Sequence, residues 1–220
     1  MKKSLSIFIL TSLVFLNTTR VLAQAPFAGE IKTFKTQDSI SFPPKNAILF
    51  VGSSSFRKWM DVQSYFPNLE IINRGFGGST LPDVIRYEKE IIAPYHPKQI
   101  LIYCGDNDLA SSDTVTPTMV AKRFQQLFYL IRKDLPKANI AFVSIKPSPS
   151  RLQLFDKMQE ANALIKSFLK KQKNTSFINV FDKMLVDNKP RADIFLSDSL
   201  HMNAKGYAIW QKAIQPYLHK

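Results

Sequence analysis

Five short, nearly continuous apolar runs, at 47–51, 69–73, 99–104, 139–145 and 176–180, alternate with longer stretches of helical periodicity, and this alternation constrains the fold more than any other feature of the chain. Runs rich in Ile, Val and Phe that do not alternate apolar with polar residues suit strands buried on both faces, as in a parallel sheet. Helical patterns at 56–65, 82–92, 117–135, 152–172 and 204–218 lie between and after them. In 117–135, Met119, Val120, Phe124, Leu127, Phe128 and Ile131 make one apolar stripe, read as core packing, and Pro117 suits a first helical turn. Trp59 and Trp210 read as packing residues on helices. The predicted fold class is α/β: a three-layer α/β/α sandwich built on a five-stranded parallel, doubly wound sheet of the flavodoxin-like type. With no internal repeat and no linker, residues 45–220 read as one domain.

Residues 1–23 are expected to stand apart from that domain. Lys2 and Lys3 precede a 12-residue apolar run at 5–16, and Val21-Leu22-Ala23 supplies the small residues of a cleavage site, so 1–23 reads as a secretory signal peptide. The run falls short of the roughly 20 apolar residues of a spanning helix. The mature chain is expected to be extracytoplasmic, periplasmic or secreted, without integral membrane association after cleavage; an uncleaved anchor is the alternative. Residues 24–44 are polar and read as an irregular lead-in.

The formal net charge is +13, which raises a polyanion partner as a question. Three of those charges, Lys2, Lys3 and Arg20, leave with the signal. Residues 24–110 carry nine basic and nine acidic groups, while 111–220 carry 18 against eight, so the excess lies in the second half. Much of it, such as Lys166, Lys170, Lys171 and Lys173, has the spacing of a solvated helix face. No aromatic residues interleave with the basic ones as a nucleic-acid platform requires, so a nucleic-acid partner is not expected. The single cysteine, Cys104, excludes an internal disulfide and a multi-cysteine metal site. It sits at the end of the third run and reads as core. No metal or other cofactor is expected.

In a doubly wound sheet the loops leaving the carboxyl ends of the strands line the functional crevice. Here they carry Gly52-Ser53-Ser54-Ser55, then Arg74-Gly75-Phe76-Gly77-Gly78-Ser79-Thr80, then Gly105-Asp106-Asn107-Asp108, then Lys146 to Arg151, and last the stretch from Asp182 to His201. Of the three histidines, His219 is next to the last residue and is expected to fray, and His96 precedes the third strand at the wrong end of the sheet. His201 lies at the right end, and Asp198, three residues earlier, can accept its Nδ1–H and leave Nε2 as a base. The glycine-rich second loop lacks both the dinucleotide and the nucleotide-phosphate spacings, but its bare N–H groups suit an oxyanion. Lys146 and Arg151 read as solvated loop charges in preference to contacts with an anionic substrate.

Taken in order, Gly52-Ser53-Ser54, Asn73-Arg74-Gly75-Phe76-Gly77-Gly78, Gly105-Asp106-Asn107-Asp108 and Asp198-Ser199-Leu200-His201 resemble the four blocks of the SGNH hydrolases, the GDSL-like lipase/acylhydrolase family. The resemblance runs from Ala47 to about Tyr207 and is closest to members similar to the platelet-activating-factor acetylhydrolase catalytic subunits. It implies Ser54 as nucleophile, His201 as general base and then acid, and Asp198 as the group orienting His201. It further implies an oxyanion hole made of the Ser54 N–H, the Gly78 N–H and the Asn107 side-chain amide. Ser53 departs from the pattern, standing where the family has Asp, and Ser53 and Ser55 read as structural.

The expected activity is therefore that of a secreted serine esterase acting through an acyl-enzyme on a small-molecule or glycan ester. Short loops leave little material for a lid or acyl tunnel, which favours short acyl groups, with acetyl on carbohydrate as one such substrate. A lysophospholipase or thioesterase acting on longer chains, and a catalytically silent glycan-binding module, are the alternatives.

Overall fold

The computed structural model describes residues 24–219, so the signal-peptide reading lies outside the described residues. Five strands, β1 (Ile48–Gly52), β2 (Ile71–Gly75), β3 (Gln99–Tyr103), β4 (Asn139–Val143) and β5 (Thr175–Ile178), form one sheet in the order β2-β1-β3-β4-β5. Every pairing in it is parallel. This is the expected doubly wound topology, with each strand within two residues of its apolar run.

Although the runs look continuously apolar, successive side chains feed two separate cores, as a pleated strand requires. Ile48, Phe50, Leu101, Tyr103, Ala141 and Val143 face one layer, and Leu49, Val51, Ile100, Ile102, Ile140 and Phe142 the other. The first layer is completed by α2 (Ser54–Arg57), α3 (Val62–Tyr65) and α9 (Ala204–Ile214), which contribute Phe56, Val62 and Trp210. The second is completed by α1 (Ala28–Ile40), α4 (Leu81–Arg86), α5 (Glu88–Ile91), α6 (Asp106–Ala110), α7 (Pro117–Asp134) and α8 (Phe155–Leu169). On α7, Thr116 caps the first turn by accepting the Met119 N–H, and Val120, Phe124, Leu127, Phe128 and Ile131 are buried. Phe124 is wholly enclosed, so Phe124→Ala should cost about 3–5 kcal/mol. Met119, assigned to the same stripe from the sequence, is instead exposed.

Further expectations are corrected. The lead-in at 24–44 is not irregular: α1 spans most of it, with Ile31 in the core and Phe27 and Phe34 packed against it. The 56–65 pattern is two short helices, because the Asn73 amide captures the Phe56 and Trp59 carbonyls and ends the first. Trp59 consequently sits between helices, although it is fully buried. The 82–92 pattern likewise divides at Tyr87, whose hydroxyl donates to the Pro26 carbonyl. His219 is tied down by its backbone N–H, which donates to Gln99 Oε1 at 3.0 Å. Between β5 and α9 the chain adds a small antiparallel hairpin, β6 (Leu185–Val186) and β7 (Lys189–Pro190). Among the described residues no helix is long and apolar enough to cross a membrane.

Candidate active site

The first strand ends in a turn that only glycine permits. Gly52 has φ +136°, and a Cβ there would lie 1.9 Å from the Tyr103 carbonyl oxygen. Ser53 continues the pairing by donating its N–H to that same carbonyl, and Ser54 then opens α2. Placed at the start of a helix, the Ser54 N–H has no intrahelical acceptor, and none is present among the described residues.

The second loop is bolted to the first. The Phe76 N–H and the Ser79 hydroxyl both donate to the Gly52 carbonyl, and Asn73 Oδ1 accepts the Gly75 N–H while its amide holds α2. The Gly78 N–H meets no acceptor among the described residues. Asn107, on α6, lies beside it: its Nδ2 donates to the Ser79 carbonyl at 3.1 Å and sits 3.8 Å from where a Gly78 Cβ would be. Asp108 anchors this arrangement from below. Its Oδ2 accepts the Leu81 N–H that opens α4, and its Oδ1 pairs with Arg123 at 2.8 Å. Burial pushes the Asp108 carboxyl above its ordinary range.

Asp198 and His201 come from a tight loop closed by the Phe195–Met202 bridge and by the Leu196 N–H donating to the His201 carbonyl at 2.7 Å. Ser199 takes φ +55°, which folds Asp198 back over the loop. Asp198 Oδ1 accepts the Leu200 and His201 N–H groups, and Oδ2 lies 2.6 Å from His201 Nδ1. The hydrogen bond from the His201 ring, helped by the backbone N–H groups, holds the Asp198 carboxyl well below the usual carboxylate range. An ionised Asp198 accepts only, so the Nδ1 proton is fixed on His201 and Nε2 is left as an acceptor. Ser54 Oγ is 3.0 Å from that Nε2.

The residues chosen from the sequence thus converge: Ser54, His201 and Asp198 form one hydrogen-bonded line, and Gly78 and Asn107 flank one another in the loops beside it. Such a line can pass a proton from the serine hydroxyl to the imidazole, and free N–H groups nearby can receive developing negative charge. Ser53 and Ser55 are buried, and Tyr207 donates its hydroxyl to the Ser55 carbonyl, in keeping with structural roles. Cys104 is buried as expected, and burial drives its thiol pKa well up. No group of three or more His, Cys, Asp or Glu that could hold a metal ion lies among the described residues.

Two expectations fail here. Lys146 and Arg151 are not solvated: the Lys146 side chain is 1% exposed and that of Arg151 16%, and both face the buried Asp106 carboxylate. Burial lowers the Lys146 pKa to about 8. Glu30 was also missed. Its carboxylate accepts the Gly77 N–H at 3.1 Å and pairs with Arg57 at 2.8 Å, reaching the site from a segment read as a lead-in. The available signal was Phe27, Ile31 and Phe34, which share one face of a helix.

The family model of the GDSL-like lipase/acylhydrolases matches residues 38–209. No curated protein sequence matches the chain. Similar solved structures include a Streptococcus pneumonia protein named for platelet activating factor, at 22% identity and TM-score 0.75, covering 87% of this chain and 92% of that one. A GDSL-like lipase from Bacteroides thetaiotaomicron is 22% identical with TM-score 0.71, covering 85% and 96%. A catalytic mutant of an acetylxylan esterase from Geobacillus stearothermophilus is 15% identical with TM-score 0.59, covering 79% and 94%. These likenesses are of fold; the family match, which spans the whole five-stranded sheet and all four loop blocks, shows that the chain belongs to the GDSL-like lipase/acylhydrolase family and is an ester hydrolase.

Proposed function

We propose that the protein is an exported serine esterase that hydrolyses small carboxylic esters through an acyl-enzyme, with short acyl groups, and acetyl on carbohydrate in particular, as its substrates. The observation that carries the reading is the Ser54–His201–Asp198 line, with heavy-atom separations of 3.0 and 2.6 Å. In this reading Ser54 Oγ attacks the ester carbonyl carbon while His201 Nε2 takes the hydroxyl proton. The carbonyl oxygen becomes an oxyanion received by the Ser54 N–H, the Gly78 N–H and Asn107 Nδ2. As the C–O bond to the alcohol breaks, the imidazolium returns its proton to the leaving oxygen. Water then attacks the acyl-serine with His201 again as base, releasing the acid and restoring Ser54. The preference for short acyl groups is supported by the short connections around the nucleophile: Ser53 alone separates β1 from α2, and two residues separate β3 from α6. The acetylxylan esterase among the fold neighbours is consistent with that preference.

A fluorophosphonate probe should label the protein, and Ser54→Ala should abolish labelling; equal labelling of Ser54→Ala would refute the serine mechanism. Hydrolysis of p-nitrophenyl esters of increasing chain length should peak at acetyl or propionyl. A maximum at long chains would instead favour the lysophospholipase or thioesterase alternative. Export is tested by fractionating the producing cells and sequencing the amino terminus, which should begin at Gln24.

A further inference from the structure

Asn107 can serve an oxyanion only if its amide nitrogen, and not its oxygen, is turned toward the reacting carbonyl. The two ends of a side-chain amide are nearly identical in shape, so something must hold the oxygen elsewhere. Arg151 does this: its Nη2 donates to Asn107 Oδ1 at 2.8 Å. A guanidinium carries only donors, so a flipped amide would set N–H against N–H and lose the bond. At the other end, Nδ2 gives one proton to the Ser79 carbonyl and keeps a second to offer.

We propose that Arg151 is a positioning residue for the reaction, acting through Asn107 by locking its amide in the donating orientation. The inference rests on the reading of Asn107 as an oxyanion donor. The surroundings of Arg151 suit that role. Its other arm, Nη1, lies 3.2 Å from Asp106 Oδ2, and Lys146 Nζ lies 3.9 Å from the same oxygen. Asp106 Oδ1 in turn accepts the backbone N–H of Asn107 at 3.0 Å. One buried carboxylate therefore bears on Asn107 twice, by a hydrogen bond to its backbone and by an ion pair with the guanidinium that holds its side chain. Arg151 thus hydrogen-bonds Asn107 through one arm, while the other is held beside Asp106 by charge, its Nη1 making no hydrogen bond among the described residues. The backbone cooperates. Arg151 leaves the helical region (φ −125°, ψ 30°) within the 3₁₀ segment Pro149–Leu154. The Ser150 N–H ties that segment to the Ser199 carbonyl, in the loop carrying Asp198 and His201. The base loop and the oxyanion donor are thus joined through two adjacent residues of the fourth-strand exit, Ser150 and Arg151.

The test is a double-mutant cycle on p-nitrophenyl acetate hydrolysis with Arg151→Ala, Asn107→Ala and the double variant. Removing an oxyanion donor costs on the order of 10² to 10³ in kcat, so Asn107→Ala should fall in that range. Arg151→Ala should lower kcat by about 10-fold or more with KM within about twofold of wild type, the pattern of a lost transition-state contact. The double variant should match Asn107→Ala alone to within about threefold, because a residue acting only through Asn107 has nothing left to orient. Added guanidinium should restore kcat to Arg151→Ala but not to the double variant. If Arg151→Ala keeps wild-type kcat, or costs as much in the Asn107→Ala background as in wild type, the proposal is overturned. A raised KM with unchanged kcat also overturns it, in favour of direct contact with the substrate. Should Arg151→Ala fail to fold, the same cycle run with Arg151→Lys, which keeps a charge beside Asp106, carries the same outcomes at smaller amplitude. Full activity of Asn107→Ala would overturn the oxyanion assignment itself, and loss of probe labelling in wild type the esterase reading, so the levels fail separately.

Discussion

Glu30 accepts a hydrogen bond from the Gly77 N–H at 3.1 Å, joining the first helix to the residue next to Gly78. The same carboxylate pairs with Arg57, on the helix that begins at Ser54, so one side chain spans the two loops that must stay in register for an attack on a carbonyl. Phe27 reinforces the join by packing edge-on against Phe76, with ring centroids 5.4 Å apart.

Glu30→Ala should therefore lower kcat more than it raises KM, because it loosens the oxyanion loop without touching the substrate. The Arg57 partner is more than half exposed, so the ion pair itself adds little. The backbone hydrogen bond is the larger loss, about 1 kcal/mol, which corresponds to a drop in Tm of about 2–4 °C for a domain of this size. Thermal unfolding and steady-state kinetics together check it; an unchanged kcat would remove Glu30 from the support of the site.

Two glycines of the site should respond oppositely to alanine. At Gly52, φ is +136° and the added Cβ would lie 1.9 Å from a backbone oxygen of the neighbouring strand, so Gly52→Ala should not yield folded protein. At Gly78 the nearest atom to an added Cβ is Asn107 Nδ2, at an ordinary contact distance of 3.8 Å. Gly78→Ala should fold with nearly the wild-type Tm and yet lose activity, because the methyl group occupies space between two of the three oxyanion donors, the Gly78 N–H and Asn107 Nδ2. Circular dichroism melts set beside esterase rates separate the cases, and a fully active Gly78→Ala would place the reacting oxygen elsewhere.

How much of this could be read from the sequence depended on range. The five strands were legible because each is buried on both faces and so carries a dense apolar run. Ser54, Gly78, Asn107, Asp198 and His201 were legible through a resemblance: each short block is a weak signal alone, but the four stand in the order and strand contexts of the family they resemble. What escaped depended on contacts between residues far apart in the chain. Trp59 lies outside a helix because Asn73, 14 residues on, takes its carbonyl. Arg151 and Lys146 look like loop charges until the sheet brings Asp106 against them from 40 or more residues away. Helix α1 was hidden by its polar face, since Ile31 is its one buried residue and part of its hold on the domain comes through polar groups. Asp38, for example, accepts the Tyr95 hydroxyl at 2.6 Å and pairs with Arg74.

Asparagine at position 198 should damage the site more than its conservative appearance suggests. Asp198 Oδ1 already accepts two backbone N–H groups, so an asparagine would keep its oxygen there and turn its amide nitrogen toward His201 Nδ1. A donor facing Nδ1 forces the proton onto Nε2, the nitrogen that must accept from Ser54. Loss of kcat on the order of 10³ or more is expected from the wrong tautomer. Asp198→Ala, which imposes no tautomer, should retain more activity even though it gives up both backbone hydrogen bonds and melts lower. The reverse order of kcat values would show that holding the loop through the two backbone hydrogen bonds matters more than the tautomer of His201.

Lys146 gives the fold a pH dependence of predictable sign. Burial lowers its pKa from 10.5 to about 8, while in the unfolded chain it returns to the ordinary lysine value of about 10.4. Between those values the unfolded chain binds a proton that the folded one does not, so this residue makes stability rise as pH climbs from about 8 to about 10. Below pH 8 both states are protonated and the contribution is flat at its least favourable level, with the ammonium buried beside Asp106. Lys146→Met should therefore remove an increment of up to about 3 kcal/mol from the difference in unfolding free energy between pH 7.5 and pH 10. Urea titrations of wild type and variant at the two pH values isolate it, since every other titrating group is common to both chains. Parallel behaviour of the two proteins would mean that Lys146 titrates normally in the folded state, and that Asp106 holds its ammonium against the cost of burial.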